Sequence, residues 1–488
     1  MVIRRTAWKL TLLFCVLLGT IAQGADGDFG QAPSPFFLPP DKGYCNDTFP
    51  FYWEGRWHMF MMRVPAIAHY SSKNLIDWKS HPDVAPGGAT GCVVENKGTF
   101  FCFYTFNQTV YLTTSPDMEH WTPYAHNPVL TADGIMYDPG NFRDPHVFFN
   151  KEDQRWWLVI CSRQLGLPAQ RSACVAVATS DDLIHWKLDK PLFSPGTDPH
   201  LECPQVIREG GRWYLAMLAR HTRVRYSDSL NGPWKRPPLR DLGTIMAHAG
   251  SRPASDGTRW INWPFILTPP ANSTNDMLEQ TGWEGGPAAV ARQWTFHDDG
   301  SVTQKPADEI IEAMRKSPAG NRRPFDRCQP LLGQWKFQEG RHALSTNPNG
   351  GTLILNDYPQ NVYFEADILL KSERSNFNLL MNINPGIKRG YQLTIHPDRD
   401  LVQLRHISVW DGVQSRVLES KTVKFDANKS IKLRVFRTGT VLDIFIQDQA
   451  TLTYQLMQFR DGAMAMEFRD GSGEIKNMLV RQLRALLR

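Results

Sequence analysis

Hydrophobic and polar positions alternate in short runs along most of this chain, and over its first half the runs come in pairs. Five segments share one pattern: an apolar strand, a tight turn rich in glycine and charge, then an aromatic residue opening a second apolar strand. They are FYWEGRWHMFMM, VVENKGTFFCFYTF, VFFNKEDQRWWLVI, VIREGGRWYLAML and PASDGTRWINWPFI, with Trp57, Phe100, Trp156, Trp213 and Trp260 as the opening aromatics. Each predicts a β-hairpin. The aromatics are 43, 56, 57 and 47 residues apart, so the hairpin is a repeat. A second pattern fills the gaps. HYSSKNLIDWK, YLTTSPDMEHWT, VATSDDLIHWK and VRYSDSLNGPWK place a Ser/Thr pair or Ser-Asp shortly before Trp78, Trp121, Trp186 and Trp234. A hairpin, a third strand, a turn and a short Trp-ended strand make a four-stranded unit. Five such units predict a five-bladed β-propeller over residues 28–305, closed radially so that few sheet edges are exposed. A sandwich would have to reproduce five matched hairpins and four matched turns by coincidence.

The pattern then changes. PADEIIEAMRK is a short helix, and with the Pro/Gly/Arg-rich SPAGNRRPFDR it forms a helix and linker over 306–325. Beyond it VYFEADILL, FNLLMNINP, YQLTIHP, VQLRHISVW, IKLRVFRTG and VLDIFIQD alternate with period two, which predicts a β-sandwich over 326–488. The whole is an all-β chain of two domains.

Composition narrows the class. Net charge is only +5 over 488 residues and no Lys/Arg-rich run occurs, which argues against a nucleic-acid partner. Residues 1–25 read as a signal peptide: Arg4, Arg5 and Lys9 precede the apolar run Leu10 to Ile21, followed by Ala22-Gln23-Gly24. The run is too short to span a bilayer comfortably, so no membrane partner is expected and the protein is placed outside the cytoplasm, secreted or periplasmic. Seven cysteines remain after the leader, widely spaced and without a Cys-x-x-Cys pattern. That leaves room for one or two disulfides and implies no metal site. No cofactor or protein partner is implied.

The candidate chemistry lies in three acids. Counting back from the hairpin aromatics, Asp47 is 10 residues before Trp57, Asp144 is 12 before Trp156, and Glu202 is 11 before Trp213. All three therefore fall at the entrance of a blade's first strand, and in a propeller those entrances converge on the central channel. Each acid alone also fits a turn; Asp47 after Asn46 is a good one. Together they suit glycoside hydrolysis, which needs two carboxyl groups flanking the scissile bond. Glu202 is the candidate acid, raised by burial among negative charges; Asp47 would attack or assist at the anomeric carbon; Asp144, beside Arg143, would bind sugar hydroxyls. The substrate expected is an oligo- or polysaccharide. His248 occupies the corresponding place in the fifth unit, where it would line the pocket or serve structure. His146 and His200, each after Asp-Pro, lack metal-ligand spacing.

These residues resemble glycoside hydrolase family 32, the invertase, levanase and inulinase family. Its Asn-Asp, Arg-Asp-Pro and Glu-Cys blocks look like Asn46-Asp47, Arg143-Asp144-Pro145 and Glu202-Cys203 here, in the family order and over nearly the whole mature chain. The resemblance implies a retaining mechanism on a β-fructofuranoside: Asp47 as nucleophile, Glu202 as acid/base, Asp144 as transition-state stabiliser. It places Asn46, Arg143, His69 and Cys203 around the substrate. The chain departs from the family at Tyr44-Cys45-Asn46-Asp47-Thr48-Phe49-Pro50, where Trp-Met-Asn-Asp-Pro-Asn-Gly is usual. It also has Met62 for a pocket Gln, and Ile67 for the aromatic of the turn that His69 ends. Those changes remove polar groups and a stacking face from the sugar pocket. Two other readings share the trio: an inverting propeller glycosidase of arabinanase or xylosidase type, and a non-catalytic carbohydrate-binding protein.

Overall fold

The computed structural model describes residues 29–486, except 40–43, 64, 220, 240–241, 245–246, 249–251, 269–284, 321–322, 339–341, 356–357, 373, 385–388, 409–414, 427–428 and 457–461. The expected leader lies outside the described residues. Among those described, no helix is long and apolar enough to cross a membrane.

Five antiparallel sheets follow one another around a hub. Blade I pairs Thr48–Trp53, Arg56–Arg63, Ala66–Ser72 and Lys79–His81; blade II pairs Gly91–Asn96, Thr99–Phe106, Thr109–Ser115 and Thr122–Pro123. Blade III runs Tyr137–Asn150, Arg155–Gln164, Ala173–Ser180 and Lys187–Phe193; blade IV has three strands, Glu202–Glu209, Arg212–Ala219 and His221–Ser227. Blade V is assembled from Ala254–Ser255, Trp260–Asn262, Arg292–Phe296 and Val302–Pro306.

Local chemistry explains the repeats. In the hairpins of blades I, II and IV, Glu54-Gly55, Lys97-Gly98 and Gly210-Gly211 hold both φ angles positive. That two-residue turn matches the twist of its strands, and glycine takes its second position at no steric cost. The Trp turns repeat as well. Ser72, Ser115 and Ser180 accept the backbone N–H two residues on, from Asn74, Asp117 and Asp182. Leu75, Met118 and Leu183 then turn left-handed and bury their side chains. Trp121 and Trp186 donate their indole N–H to the carbonyls of Met118 and Leu183, each at 3.2 Å, which closes the turn.

Helix Asp308–Lys316 buries Ile310, Ile311 and Met314. The C-terminal half packs a seven-stranded sheet and an eight-stranded sheet into a sandwich. Its core is continuous with the propeller's: Ala288 to Ala291, Ile310 and Met314 share one cluster with Leu433, Leu442 and Leu452. Gln31–Ala32, expected at the start of the propeller, instead pairs in parallel with Gln482 and Leu483 of the sandwich. All seven cysteines beyond the leader are buried and none is in a disulfide, so the bridges considered from sequence do not form.

Candidate active site

Two copies of one backbone device place the site. The entrance strand of blade III slips register between Arg143 and His146, and that of blade IV between Glu202 and Gln205. Each slip is a β-bulge, which re-aims side chains. Within each, a non-glycine residue adopts left-handed backbone, Asp144 at φ +61° and Cys203 at φ +48°. Such a conformation costs about 1–3 kcal/mol and persists only where its surroundings hold it. Here Asp144 N–H donates to Thr105 Oγ1 at 2.8 Å, and Cys203 N–H donates to Asp144 Oδ2 at 3.0 Å. Matched bulge to bulge, Asp144 corresponds to Cys203 and Arg143 to Glu202. Counting from the aromatics aligns Asp144 with Glu202; the bulges put the register one residue off, and in each the left-handed residue precedes a proline, Pro145 or Pro204.

Asp47 lies just before the first strand of blade I and accepts a hydrogen bond from the Thr90 hydroxyl of blade II. The Cys203 thiol sits 4.0 Å from Asp47 Oδ2 and 3.9 Å from Asp144 Oδ2. The three groups lie within 4.8 Å of one another. Three blades thus deliver two carboxyl groups and a thiol to one point. Burial first, then Asp47 and Asp144, push the thiol well above its ordinary pKa. A protonated thiol is a poor metal ligand, so the set is weakly suited to a cation.

Burial, and next the neighbouring Asp144, raise the Asp47 carboxyl to about 6; Thr90 and Arg252 oppose the rise. Arg143 Nη2 donates to Glu202 Oε1 at 2.7 Å, while its Nε is 3.9 Å from Asp144 Oδ2. The arginine expected to serve Asp144 therefore makes its short contact with Glu202. Glu202 stands at the rim, with its side chain 28% exposed against 6% for Asp144.

The remaining candidates separate. Asn46, beside Asp47, faces a cleft of about 850 Å³ between propeller and sandwich, lined also by Tyr44, Thr268, Gln360, Asn361 and Gln455. His69 is not in the pocket, which corrects its placement from sequence. It is 1% exposed, its ring stacked between Phe60 and His81 at 4.3 and 4.2 Å, and its Nε2 is 2.8 Å from His58 Nδ1. An alternating strand turns that residue into the space between blades I and II, where none of the acids lies. His248 falls in the short strand Ala247–His248, opposite Phe265–Ile266; its side chain is outside the described residues. His200 meets Arg163 Nη2 at 2.9 Å through its Nε2, and the Nδ1 of His146 is buried without a hydrogen bond.

The sequence reading missed Thr90, Thr105 and Arg252. Thr90 lies 10 residues before Phe100, the offset that Asp47 has from Trp57, but a threonine carries no charge to mark it. Arg252 precedes Pro253 as Asp144 precedes Pro145 and Cys203 precedes Pro204. Residue-before-proline at a blade entrance was the signal available.

A hub that gathers carboxyl groups from blades I, III and IV suits glycoside hydrolysis, which needs two of them at the scissile bond. Residues 37–226 match the Glycosyl hydrolases family 32 N-terminal domain. The raffinose invertase of Escherichia coli is 24% identical over 474 residues, a match covering 86% of this chain and 88% of that protein. Invertase 1 of Saccharomyces cerevisiae is 27% identical over 206 residues, covering 34% of this chain and 36% of the yeast protein. Among solved structures, fructan 1-exohydrolase IIa from Cichorium intybus aligns with a TM-score of 0.66 at 14% identity, over 93% of this chain and 100% of that one. Over residues 37–226, and more loosely along most of its length, the chain is similar to glycoside hydrolase family 32.

Proposed function

We propose that the protein is an exported β-fructofuranosidase-like hydrolase acting on sucrose or fructans by double displacement. The observation that carries this is the meeting of Asp47 and Asp144 across Cys203 within 4.8 Å, with Glu202 tied to the same group through Arg143 at 2.7 Å. Asp47, ionised, attacks the anomeric carbon as Glu202 gives its proton to the departing glycosidic oxygen, and a fructosyl ester forms on Asp47. Water then attacks the same carbon, losing its proton to Glu202, and the ester bond to Asp47 breaks. Two inversions give net retention. Asp144, held rigid by the Cys203 N–H and its own bulge, accepts hydrogen bonds from ring hydroxyls as positive charge develops on the sugar. The match of residues 37–226 to the family 32 N-terminal domain and the names of the relatives, invertases and a fructan exohydrolase, support the substrate class.

Fructose release from sucrose, inulin and levan tests the proposal, with NMR of the first anomer released reporting retention. D47A and E202Q should each lower kcat/KM by several orders of magnitude with the far-UV spectrum unchanged, because these groups make and break the bond. Folded variants that keep near-native turnover would overturn the assignment. Binding of fructans without turnover by the wild type would convert the reading to a carbohydrate-binding protein.

A further inference from the structure

The Arg252 side chain touches the entrances of two other blades at once. It is 2% exposed and comes from the segment leading into blade V. Its Nη2 donates to the carbonyl of Asp144 at 2.8 Å and its Nη1 to that of Pro145 at 3.2 Å, both in blade III; Nη1 also donates to the carbonyl of Gly91, the first strand residue of blade II. The next residue's carbonyl, on Pro253, accepts from Gln205 Nε2 of blade IV at 2.7 Å. A two-residue segment therefore ties four blades across the propeller axis.

The charge of this side chain is as unusual as its reach. A buried guanidinium is normally paired with a carboxylate, because an uncompensated buried charge is costly. Among the described residues Arg252 makes no ion pair; its hydrogen bonds go to carbonyls and its Nε has no partner. The titratable groups that feel it are Asp47, Cys92, His146 and Cys203, with Asp144 bonded to it through its carbonyl. Asp47 is thus the carboxyl group of the site that interacts with its charge. The tie to Asp144 O also fixes the peptide that follows the left-handed φ of that residue.

We propose that Arg252 is the positioning residue of the hub, holding the Asp144 bulge in its left-handed form through its backbone carbonyl and supplying a fixed positive charge to the buried cluster that contains Asp47. Arg252 touches no substrate; it acts through the backbone of Asp144 and the carboxyl group of Asp47. The same charge opposes the rise of the Asp47 pKa and helps lower that of His146 to about 3.

The assignment of the nucleophile rests on the proposed function, so the test reads Asp47 directly. In full-length protein carrying 13C at the aspartate carboxyl carbons, the D47N variant identifies the Asp47 signal. Wild type, R252K, R252Q and R252M are then titrated, with thermal unfolding followed in parallel. Loss of the charge in R252Q and R252M should move the Asp47 titration upward by about one pH unit or more, and R252K should return it most of the way. On a substrate that is turned over, the acid limb of kcat/KM should move up by the same amount in the neutral variants. A purely structural arginine would lower the melting temperature in all three variants and leave the titration alone. If R252M does not fold, R252Q against R252K carries the comparison. A neutral variant titrating where the wild type does, or a lysine variant no better than glutamine, would overturn the inference. Absence of turnover in the wild type would instead sink the functional reading and leave the titration to judge Arg252.

Discussion

Asp47 carries a conflict at the scale of one residue: its chemistry needs a carboxylate, and its surroundings disfavour one. Burial and the neighbouring Asp144 lift its pKa from 3.8 to about 6. The sign of the consequence for stability is opposite to that of most carboxylates. The folded state holds the Asp47 proton more tightly than the unfolded chain, so stability from this group is complete below pH 3.8 and is lost as pH rises through about 6. D47N removes the charge while keeping an oxygen for Thr90 to donate to. It should therefore stabilise the protein at pH 7.5, on the order of 1–3 kcal/mol, and give little gain at pH 4. Unfolding midpoints of both proteins at the two pH values check this; equal gains at both would show that the charge is not the cause. The carboxylate was legible in the sequence through its offset from Trp57. Its elevated pKa was not, because that depends first on burial in the assembled hub and then on the approach of Asp144 from a blade 97 residues away.

At the scale of elements, the repeat was legible because each hairpin and Trp turn is built from neighbours in sequence. Glycine at the tight turns and Ser two residues before Asn or Asp fix local backbone wherever they occur. The bulges were not read as bulges, since their register depends on the partner strand, and that produced the one-residue offset between Asp144 and Glu202. His69 shows the same limit. The turn it belongs to was recognisable, but the face its strand presents was decided by packing. That face holds a second pH-sensitive group of residues. Burial, followed by the neighbouring His81, lowers His58 to about 4 and His69 well below its ordinary value, and burial lowers His81. The unfolded chain takes up these protons near pH 6.5 while the folded protein resists, so their contribution is complete above pH 6.5 and is lost as pH falls toward 4. H69F keeps a ring between Phe60 and His81 and removes one titrating site. Acid destabilisation between pH 6.5 and 4 should become shallower by up to about 1.4 kcal/mol per pH unit. Denaturant midpoints through that window measure the slope, and an unaltered slope would mean the stack does not titrate on unfolding.

At the scale of the whole molecule, the two halves were predictable as separate patterns, whereas their union was not. Period-two alternation marks which face of a strand is buried and says nothing of what covers it. The joint turns out to be core-like. Arg292, at the start of a blade V strand, and Asp443, in the sandwich, are both essentially unexposed and 3.1 Å apart; Thr453 Oγ1 accepts from the same guanidinium nitrogen at 2.6 Å. Nearby, the Thr244 hydroxyl donates to the Thr453 carbonyl at 2.9 Å. Neither partner stands out in sequence, because each is a single charge within an otherwise ordinary strand. Physically the pair matters through what remains when one half is removed. R292M leaves Asp443 a fully buried carboxylate without its cation, and should destabilise the protein by about 3–5 kcal/mol. R292M/D443L removes both charges and should recover much of that loss, since a well-packed apolar pair replaces a desolvated ionic one. A double-mutant cycle on thermal unfolding reads the coupling. If the two halves separate on their own in solution, the single variant will instead melt its propeller at the wild-type temperature and shift only the sandwich. A single shifted transition carrying both halves is the result expected of one continuous core.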